Sequence, residues 1–221
     1  MLVLEAGVSL DELLKNINYD VVNISCVLVS HEHSDHAGYL KQYDDRCLTI
    51  AASKGTLEYY NCHKTIIMNP LQSYKFGNFI VVPFPVQHDA AEPYGFLIYH
   101  KECGKLLFAT DTYYIKYKFN ELNNIMIECN YDENILNENI LSGKIHSAHK
   151  DRLLQSHMSY QNCLKTILSN DLTLVNNIIL IHLSDSNSDT YAFKRGIELG
   201  TGKNVYVANR MDEIEINCLP F

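Results

Sequence analysis

The stretch Val27-Leu28-Val29-Ser30-His31-Glu32-His33-Ser34-Asp35-His36-Ala37-Gly38 places three imidazoles and a carboxylate directly after an apolar run. The apolar run predicts a buried strand over Val21 to Ser30. Borderline divalent metals prefer histidine nitrogen and aspartate oxygen, and a loop at the carboxyl end of a strand can direct alternate side chains at two neighbouring ions. The spacing therefore predicts that the first two histidines bind one metal and that Asp35 and His36 bind another. A polar loop that is rich in histidine by chance is the alternative.

The order His-x-His-x-Asp-His after a strand resembles the signature of the metallo-β-lactamase superfamily. The resemblance implies three further ligands, each at the end of a strand, and the chain offers His88, Asp111 and His182 in that order. Taken singly, these residues have structural alternatives: a turn residue, a helix or turn cap, and a core histidine. By the resemblance, the ligands are His31, His33 and His88 for one metal, Asp35, His36 and His182 for the other, and Asp111 as the bridge.

Further landmarks across nearly the whole chain resemble the small bacterial YycJ/WalJ (VicX) type metallo-hydrolases. They are Gln87-His88-Asp89-Ala90 with Pro93-Tyr94-Gly95, Thr110-Asp111-Thr112-Tyr113-Tyr114, Glu128-Cys129-Asn130-Tyr131-Asp132, His157-Met158-Ser159, and His182-Leu183-Ser184 with Asn187. RNase Z, the tRNA 3′-end endonuclease, is a more distant relative with a similar ligand set. The resemblance implies two divalent metal ions as cofactors, Zn or Mn in preference to Fe.

Three departures separate the chain from the pattern of that subgroup. The chain begins at what resembles the family's first aspartate-containing strand, so we expect the preceding N-terminal strands to be missing. In Leu4-Glu5-Ala6-Gly7 the usual aspartate is Glu5, and Tyr131 stands where the family has a histidine. The last two changes would alter the groups that support the metal ligands and leave the ligands themselves in place.

Strand-like and helical segments alternate along the chain. A capping box from Ser9 to Glu12 predicts a helix that ends at Ile17. Further helices are predicted over Asp132 to Leu141, Ser159 to Leu168 and Ser188 to Leu199, and strands over Leu48 to Ala52, Asn78 to Val86, Tyr94 to Tyr99, Lys105 to Ala109, Ile125 to Glu128, Ile178 to His182 and Val205 to Ala208. Buried strands with helices on both outer faces predict an α/β fold, a four-layer αββα sandwich. No linker divides residues 1–221, which we expect to form a single domain.

The resemblance implies a hydrolase that uses a metal-bound hydroxide at a binuclear centre. Asp35 stands where the penicillin-hydrolysing branch has a cysteine, and His33 stands where the diiron oxygen-reducing branch has a glutamate. These residues favour phosphodiester or thioester substrates over β-lactams and over redox chemistry. We expect a phosphodiesterase or nuclease, including a DNA exonuclease. A glyoxalase II-like thioesterase and a metal-binding or regulatory relic without activity are the alternatives.

Two catalytic residues and two substrate contacts are also predicted. His157 precedes a predicted helix as in the phosphodiesterase members, so the resemblance implies that it stabilises transition-state charge or protonates the leaving oxygen. Its alternative is a residue beside a helix cap. Asp35 is the second catalytic residue, as a metal ligand. In the basic run from Lys144 to Arg152, Lys150 and Arg152 are candidates for holding a phosphate, although such a run is more commonly a solvated loop.

The composition limits the partners of the protein. Eighteen basic and twenty-six acidic residues give a net charge of -8, which argues against a broad electrostatic footprint for duplex nucleic acid or an anionic membrane but leaves local basic patches open. The seven cysteines include no CxxC pair, and no stretch has the length of an apolar membrane span, so we expect a soluble, cytoplasmic protein with reduced thiols. A homo-oligomer, in which a neighbouring subunit replaces the missing strands, stays open.

Overall fold

The structure is a computed structural model of the 221-residue chain. It describes residues 1–210 and 212–219, and for residues 147–149 it describes only the backbone. The chain divides into two compact units. The N-terminal unit consists of Met1–Pro85 and Ala90–Ile98, and the C-terminal unit of Val86–Asp89 and Tyr99–Phe221. That the whole chain forms a single domain therefore stays a prediction.

The N-terminal unit is built from short strands and helices. In chain order they are β1 (Leu2–Leu4), α1 (Leu10–Asn16), β2 (Cys26–Leu28), α2 (Ser34–Ala37), α3 (Leu40–Asp45), β3 (Ile50–Ala52), α4 (Lys54–Glu58), β4 (Thr65–Ile67), β5 (Tyr74–Phe76), β6 (Phe79–Pro85) and β7 (Tyr94–His100), within which the unit ends. The first four strands form a parallel sheet in the order β1-β2-β3-β4, and β5 pairs with β6 antiparallel. The central strands β2 and β3 are buried along their whole length, as their uninterrupted apolar sequences predict.

Helix α1 begins where the capping box predicts. The hydroxyl of Ser9 accepts a hydrogen bond from the backbone N–H of Glu12 at 3.3 Å, which satisfies one of the donors left open at a helix start. Leu10 and Leu14 lie on the buried face of the helix and belong to one apolar core with Val27 of β2. Helix periodicity therefore positions α1 against the sheet that carries the histidine-rich loop.

The predicted strand over Val21 to Ser30 is wrong in its first half, because the strand begins only at Cys26. Val21–Asn23 forms a single 3₁₀ turn instead. The side-chain amide of Asn23 donates hydrogen bonds to both carboxylate oxygens of Asp20, at 3.0 and 2.8 Å. Such a local side-chain contact competes with strand pairing, and Val22 is 95% exposed, so apolar composition alone overstates the length of this strand.

The C-terminal unit alternates strands with helices. Its elements are β8 (Gly104–Ala109), β9 (Asn124–Glu128), α5 (Glu133–Leu141), α6 (Ser147–Ser156), α7 (Tyr160–Leu168), β10 (Asn177–Ile181), α8 (Thr190–Thr201) and β11 (Asn204–Val207). The four strands are neighbours in the order β8-β9-β10-β11 and run parallel, with Ala109 beside Ile127 and Glu128 beside Ile181. Parallel strands end at the same edge of a sheet, so the residues at the ends of β8, β9 and β10 lie close together.

Helix α6 is absent from the elements that the sequence predicts, and the solvated loop weighed for Lys144 to Arg152 is helical from Ser147 onward. Its only two leucines, Leu153 and Leu154, are adjacent in sequence and give no apolar stripe at the spacing of a helix. Across residues 1–210 and 212–219, every helix is too short or too polar to cross a lipid bilayer.

Residues 6 and 7 approach the backbone of α2 closely. The N–H of Ala6 donates to the carbonyl of His36 at 2.6 Å, and a Cβ atom on Gly7 would lie 1.7 Å from the carbonyl oxygen of Asp35. Gly7→Ala should therefore lower the free energy of unfolding by about 1–3 kcal/mol, because the backbone must move apart. Urea denaturation measures this change.

The matched control is Gly200→Ala on α8. There the added Cβ would meet only the flexible end of Leu164, at 3.1 Å. An alanine in a helix interior is favoured over glycine by about 0.5–1 kcal/mol, so this variant should be at least as stable as the wild type. Equal stability of the two variants would contradict the proposed close contact at Gly7.

Candidate functional site

The loop of residues 30–38, here called the histidine loop, connects β2 to α3 and includes the short helix α2. His31 has no exposed surface, and its Nε2 lies 3.1 Å from Nδ1 of His33. The ring centroid of His36 lies 4.2 Å from that of His31, and its Nε2 lies 3.4 Å from an oxygen of Asp35. The loop thus brings its four predicted metal ligands together.

Glu5, where the resemblance leads us to expect an aspartate, lies directly after β1 and contacts the histidine loop. One of its carboxylate oxygens accepts a hydrogen bond from the N–H of Ser30 at 3.2 Å and lies 3.7 Å from Nδ1 of His36. Glu5 has a φ of 70°, in the left-handed region that costs a non-glycine residue about 1–2 kcal/mol. The longer acid therefore retains contact with the loop, with its backbone in a strained conformation.

In the C-terminal unit, Asp111 lies between two histidines and is 2% exposed. Its Oδ2 lies 3.5 Å from Nε2 of His88, and its Oδ1 lies 2.9 Å from Nδ1 of His182. The hydroxyl of Thr110 donates to Oδ1 at 2.8 Å. The two oxygens of Asp111 thus face histidines that the sequence assigns to different metals, which is the arrangement that a bridging carboxylate needs.

The ring of His88 is oriented by the main chain. Its Nδ1 lies 2.8 Å from the carbonyl oxygen of Ser156, a pure acceptor, so Nδ1 carries the proton and Nε2 carries the lone pair. Burial lowers the pKa of His88 below its usual range, although the nearby carboxylate of Asp111 opposes this shift. A neutral imidazole with Nε2 turned toward Asp111 is the form that binds a metal ion.

Glu128, the last residue of β9, has no exposed surface and connects several loops. Its Oε2 accepts hydrogen bonds from the N–H groups of Thr112 and Met158, at 2.8 and 3.2 Å. Its Oε1 lies 2.7 Å from Nδ1 of His157 and 2.9 Å from Nδ1 of His182. Both oxygens of this buried carboxylate are therefore satisfied, as a buried charge requires.

Four of these residues form a compact group, here called the Glu128 cluster: Asp111, Glu128, His157 and His182. Their ligand atoms all lie within 4.8 Å of one another. Asp111 and His182 have φ values of 45° and 57°, and backbone strain of this kind is concentrated at functional sites. Two buried carboxylates repel each other, and a divalent cation would offset this repulsion. The donor set of imidazole nitrogens and carboxylate oxygens therefore fits Zn or Mn.

The two predicted substrate contacts, Lys150 and Arg152, have different partners. The Nε of Arg152 lies 3.0 Å from Oδ2 of Asp89, the residue after His88, and both side chains line a cavity of about 540 Å³. By contrast, Nζ of Lys150 donates to the side chain of Asn137 at 2.9 Å. Arg152 therefore lies beside a predicted metal ligand, whereas Lys150 contacts α5.

Glu128 belongs to one of the landmarks of the resemblance, but the sequence alone assigns it no role in the site. The only local signal is an acidic residue at the end of the apolar strand Ile125-Met126-Ile127, where a charge requires partners. Tyr131 is a core residue, 2% exposed, and its carbonyl accepts a hydrogen bond from the N–H of Tyr160, at the start of α7, at 2.7 Å. Burial raises the pKa of Tyr131 to about 12, so its hydroxyl stays protonated near neutral pH.

Comparison with known proteins gives matches over most of the chain. Residues 8–182 match the family described as "Beta-lactamase superfamily domain". The chain is 31% identical over 156 residues to the exodeoxyribonuclease YycJ of Bacillus anthracis, with 61% of this chain and 56% of that protein covered. It is 25% identical over 209 residues to the exodeoxyribonuclease WalJ of Streptococcus pneumoniae serotype 2 (strain D39 / NCTC 7466), with 85% and 75% covered. The predicted resemblance to YycJ/WalJ proteins is confirmed, and the chain spans 56% of the length of the Bacillus relative.

Among solved structures, the chain is similar to the metallo-beta-lactamase fold protein YhfI from Bacillus subtilis. The TM-score is 0.69 at 15% identity, with 94% of this chain and 84% of that chain covered. At this identity the likeness shows the fold alone. It confirms the predicted α/β class and the αββα sandwich of the metallo-β-lactamase fold.

Replacing Glu128 should destabilise the fold, because its carboxylate accepts hydrogen bonds from two backbone N–H groups. In Glu128→Gln, one oxygen becomes an amide NH₂ group, which can no longer accept hydrogen bonds. The free energy of unfolding of the metal-free protein should fall by about 1–3 kcal/mol, the cost of leaving a buried donor unsatisfied. Guanidinium denaturation measures the change, and Glu138→Gln, at an exposed acid later in α5, is the matched control. If both variants unfold at the same denaturant concentration, Glu128 does not hold the loops together.

Proposed function

The chain belongs to the β-lactamase superfamily, and from this premise we propose that it is a binuclear metal-dependent phosphodiesterase that acts on nucleic acid, as a nuclease and most specifically as a DNA exonuclease. The observation that supports this proposal most directly is the Glu128 cluster, which places His157 beside predicted metal ligands. The names of the YycJ and WalJ relatives support the choice of DNA as the substrate.

The proposed metal ligands are His31, His33, Asp35 and His36 in the N-terminal unit and His88, Asp111 and His182 in the C-terminal unit. Two divalent ions, Zn or Mn, would supply an activated water and neutralise the charge of the phosphate. Asp35, a carboxylate that is mostly exposed, is a harder ligand than cysteine and suits phosphate chemistry. The residues of this chain would then have to bind the substrate, orient it and transfer the proton.

His157 is the proposed proton donor. Its Nδ1 lies 2.7 Å from Oε1 of Glu128, and because a carboxylate oxygen accepts hydrogen bonds, Nδ1 carries a proton and donates it to this contact. In the doubly protonated ring, Nε2 carries a proton that it can give to the leaving oxygen, and the cation can stabilise the negative charge that develops there. The side chain is 22% exposed, so a substrate can reach it.

Arg152 is the proposed phosphate contact. Its guanidinium lies against Asp89 and beside the cavity that Gln87, His88 and Tyr113 also line. A guanidinium presents several fixed donors and remains charged at every relevant pH, which suits recognition of a phosphate oxygen. Lys150, which contacts Asn137, would have to leave that contact before it could bind the substrate.

Replacing the proposed proton donor should lower the turnover number without removing the metal. His157→Ala is expected to reduce kcat on a bis-aryl phosphodiester by about 10²–10⁴-fold, the usual contribution of general acid catalysis. Metal content is measured in parallel by atomic absorption. The matched control is His63→Ala, at a histidine whose side chain is 78% exposed and which pairs with Asp44. Unchanged turnover, or a loss of bound metal, would show that His157 is not the proton donor.

The bridging role of Asp111 and the substrate class are tested together. Asp111→Ala should lose bound metal and phosphodiester hydrolysis in parallel, because the two metals lose their shared carboxylate.

Wild-type protein loaded with Mn or Zn is compared on a bis-aryl phosphodiester, end-labelled DNA and a glutathione thioester. Faster hydrolysis of the thioester would favour a thioesterase, and full metal content in Asp111→Ala would contradict the bridge.

A further inference from the structure

We propose that a groove in the C-terminal unit binds a single strand of nucleic acid next to the bond that is cut. The groove, here called the lysine–tyrosine groove, has Tyr114, Lys116, Tyr117, Lys118 and Lys165 in its wall and a volume of about 230 Å³. This inference rests on the proposed function in one respect: the strand bound there is taken to be the substrate.

The groove combines positive charge with aromatic surface. Tyr114 is 53% exposed, and Nζ of Lys116 lies 5.0 Å from the centroid of the Tyr117 ring. Proteins that bind single strands without sequence preference use the same combination, in which lysines follow the phosphates and aromatic rings stack on bases. Each base has a flat face that can stack, so such a groove accepts any sequence.

The charge of the groove is opposite to that of the whole protein. The chain carries a net charge of -8, yet residues 112–120 and helix α7 contain three lysines and no acid. Within the described part of the chain, no acidic residue lines the groove. Lys116 and Lys118 come from the loop after β8, and Lys165 comes from α7, so two separate segments contribute the positive charge.

Hydrogen bonds of Thr112 connect the wall of the groove to the Glu128 cluster. The N–H of Thr112 donates to Glu128 at 2.8 Å, and its hydroxyl donates to the carbonyl of Tyr114 at 2.9 Å. An extended chain advances about 3.3–3.6 Å per residue, so the Cα of Tyr114 lies within about 11 Å of the Cα of Asp111. A strand whose scissile phosphate is at Asp111 could therefore place its neighbouring nucleotides along the groove.

The chemistry of the groove favours a single-stranded nucleic acid over other anions. An acidic peptide would use the lysines but would leave Tyr114 without a stacking partner. A rigid duplex presents its phosphates outside and its bases inside, so bases could not reach the tyrosines. Only a single strand offers phosphates and unstacked bases at the same time.

The test separates binding from hydrolysis. The groove variant replaces Lys116, Lys118 and Lys165 by Gln, and the control variant makes the same change at Lys75, Lys101 and Lys194, which are exposed lysines outside the groove. Binding of a fluorescent phosphorothioate oligothymidylate, which resists cleavage, is followed by anisotropy over a range of salt concentrations. Hydrolysis of a bis-aryl phosphodiester, which has no neighbouring nucleotides to bind in the groove, is measured on the same proteins.

The groove variant should bind the oligonucleotide at least tenfold more weakly than the control variant, and its salt slope should fall by about 2, since each phosphate contact with a single strand contributes about 0.7. Its turnover of the small phosphodiester should equal that of the wild type. Tyr114→Ala should weaken binding by about 5–150-fold, and Tyr114→Phe should not, because stacking needs only the ring.

The remaining outcomes distinguish failure of the groove proposal from failure of the proposed phosphodiesterase function. Equal binding by the groove and control variants, or no binding by the wild type, overturns the groove and leaves the phosphodiesterase intact if the small substrate is hydrolysed. Binding that depends on the groove lysines, in a protein that hydrolyses no phosphodiester, supports the groove and rejects the proposed function. Tighter binding of duplex than of single-stranded DNA through the same lysines also overturns the single-strand assignment.

Discussion

The arrangement of the loops in the C-terminal unit depends on the buried carboxylate of Glu128. It accepts hydrogen bonds from the backbone of Thr112 and Met158 and contacts the imidazoles of His157 and His182. A buried charge is tolerated only when both of its oxygens are satisfied, so the loops that follow β8 and β10 and the connection between α6 and α7 must all keep their positions. The hydrogen bonds that satisfy the charge of Glu128 therefore also orient His157 and His182.

The sites in both units contain interactions that a structure selected only for stability would avoid. Glu5, Asp111 and His182 all have positive φ values without being glycine. Asp111 and Glu128 are two acids buried side by side. Local strain and like-charge repulsion of this kind persist where the surrounding structure enforces them and where a ligand removes part of the cost. Bound cations would convert the repulsion between the acids into a shared attraction.

Features with local causes are predictable from the sequence, and features with distant causes are not. The spacing of Ser9 and Glu12 determines where α1 begins, and the apolar runs before Asp111 and His182 predict the strands that these two candidate ligands follow. The role of Glu128 depends on histidines that lie 29 and 54 residues away, and no periodic pattern encodes that proximity. Helix α6 escapes prediction because its two leucines are adjacent, so its helical form comes from tertiary context.

The contact between His88 and Ser156 differs in kind from those of Glu128, because the acceptor is a main-chain carbonyl at the end of α6. The main chain at position 156 supplies this oxygen, so the tautomer of His88 depends on where the helix ends, and the Ser156 side chain, which is 1% exposed, affects it through packing alone. A small side chain that fits this buried position would leave the histidine in place, whereas an insertion or deletion within α6 would rotate the carbonyl away. The register of helix α6 thus determines the ring orientation of His88, one of the proposed metal ligands.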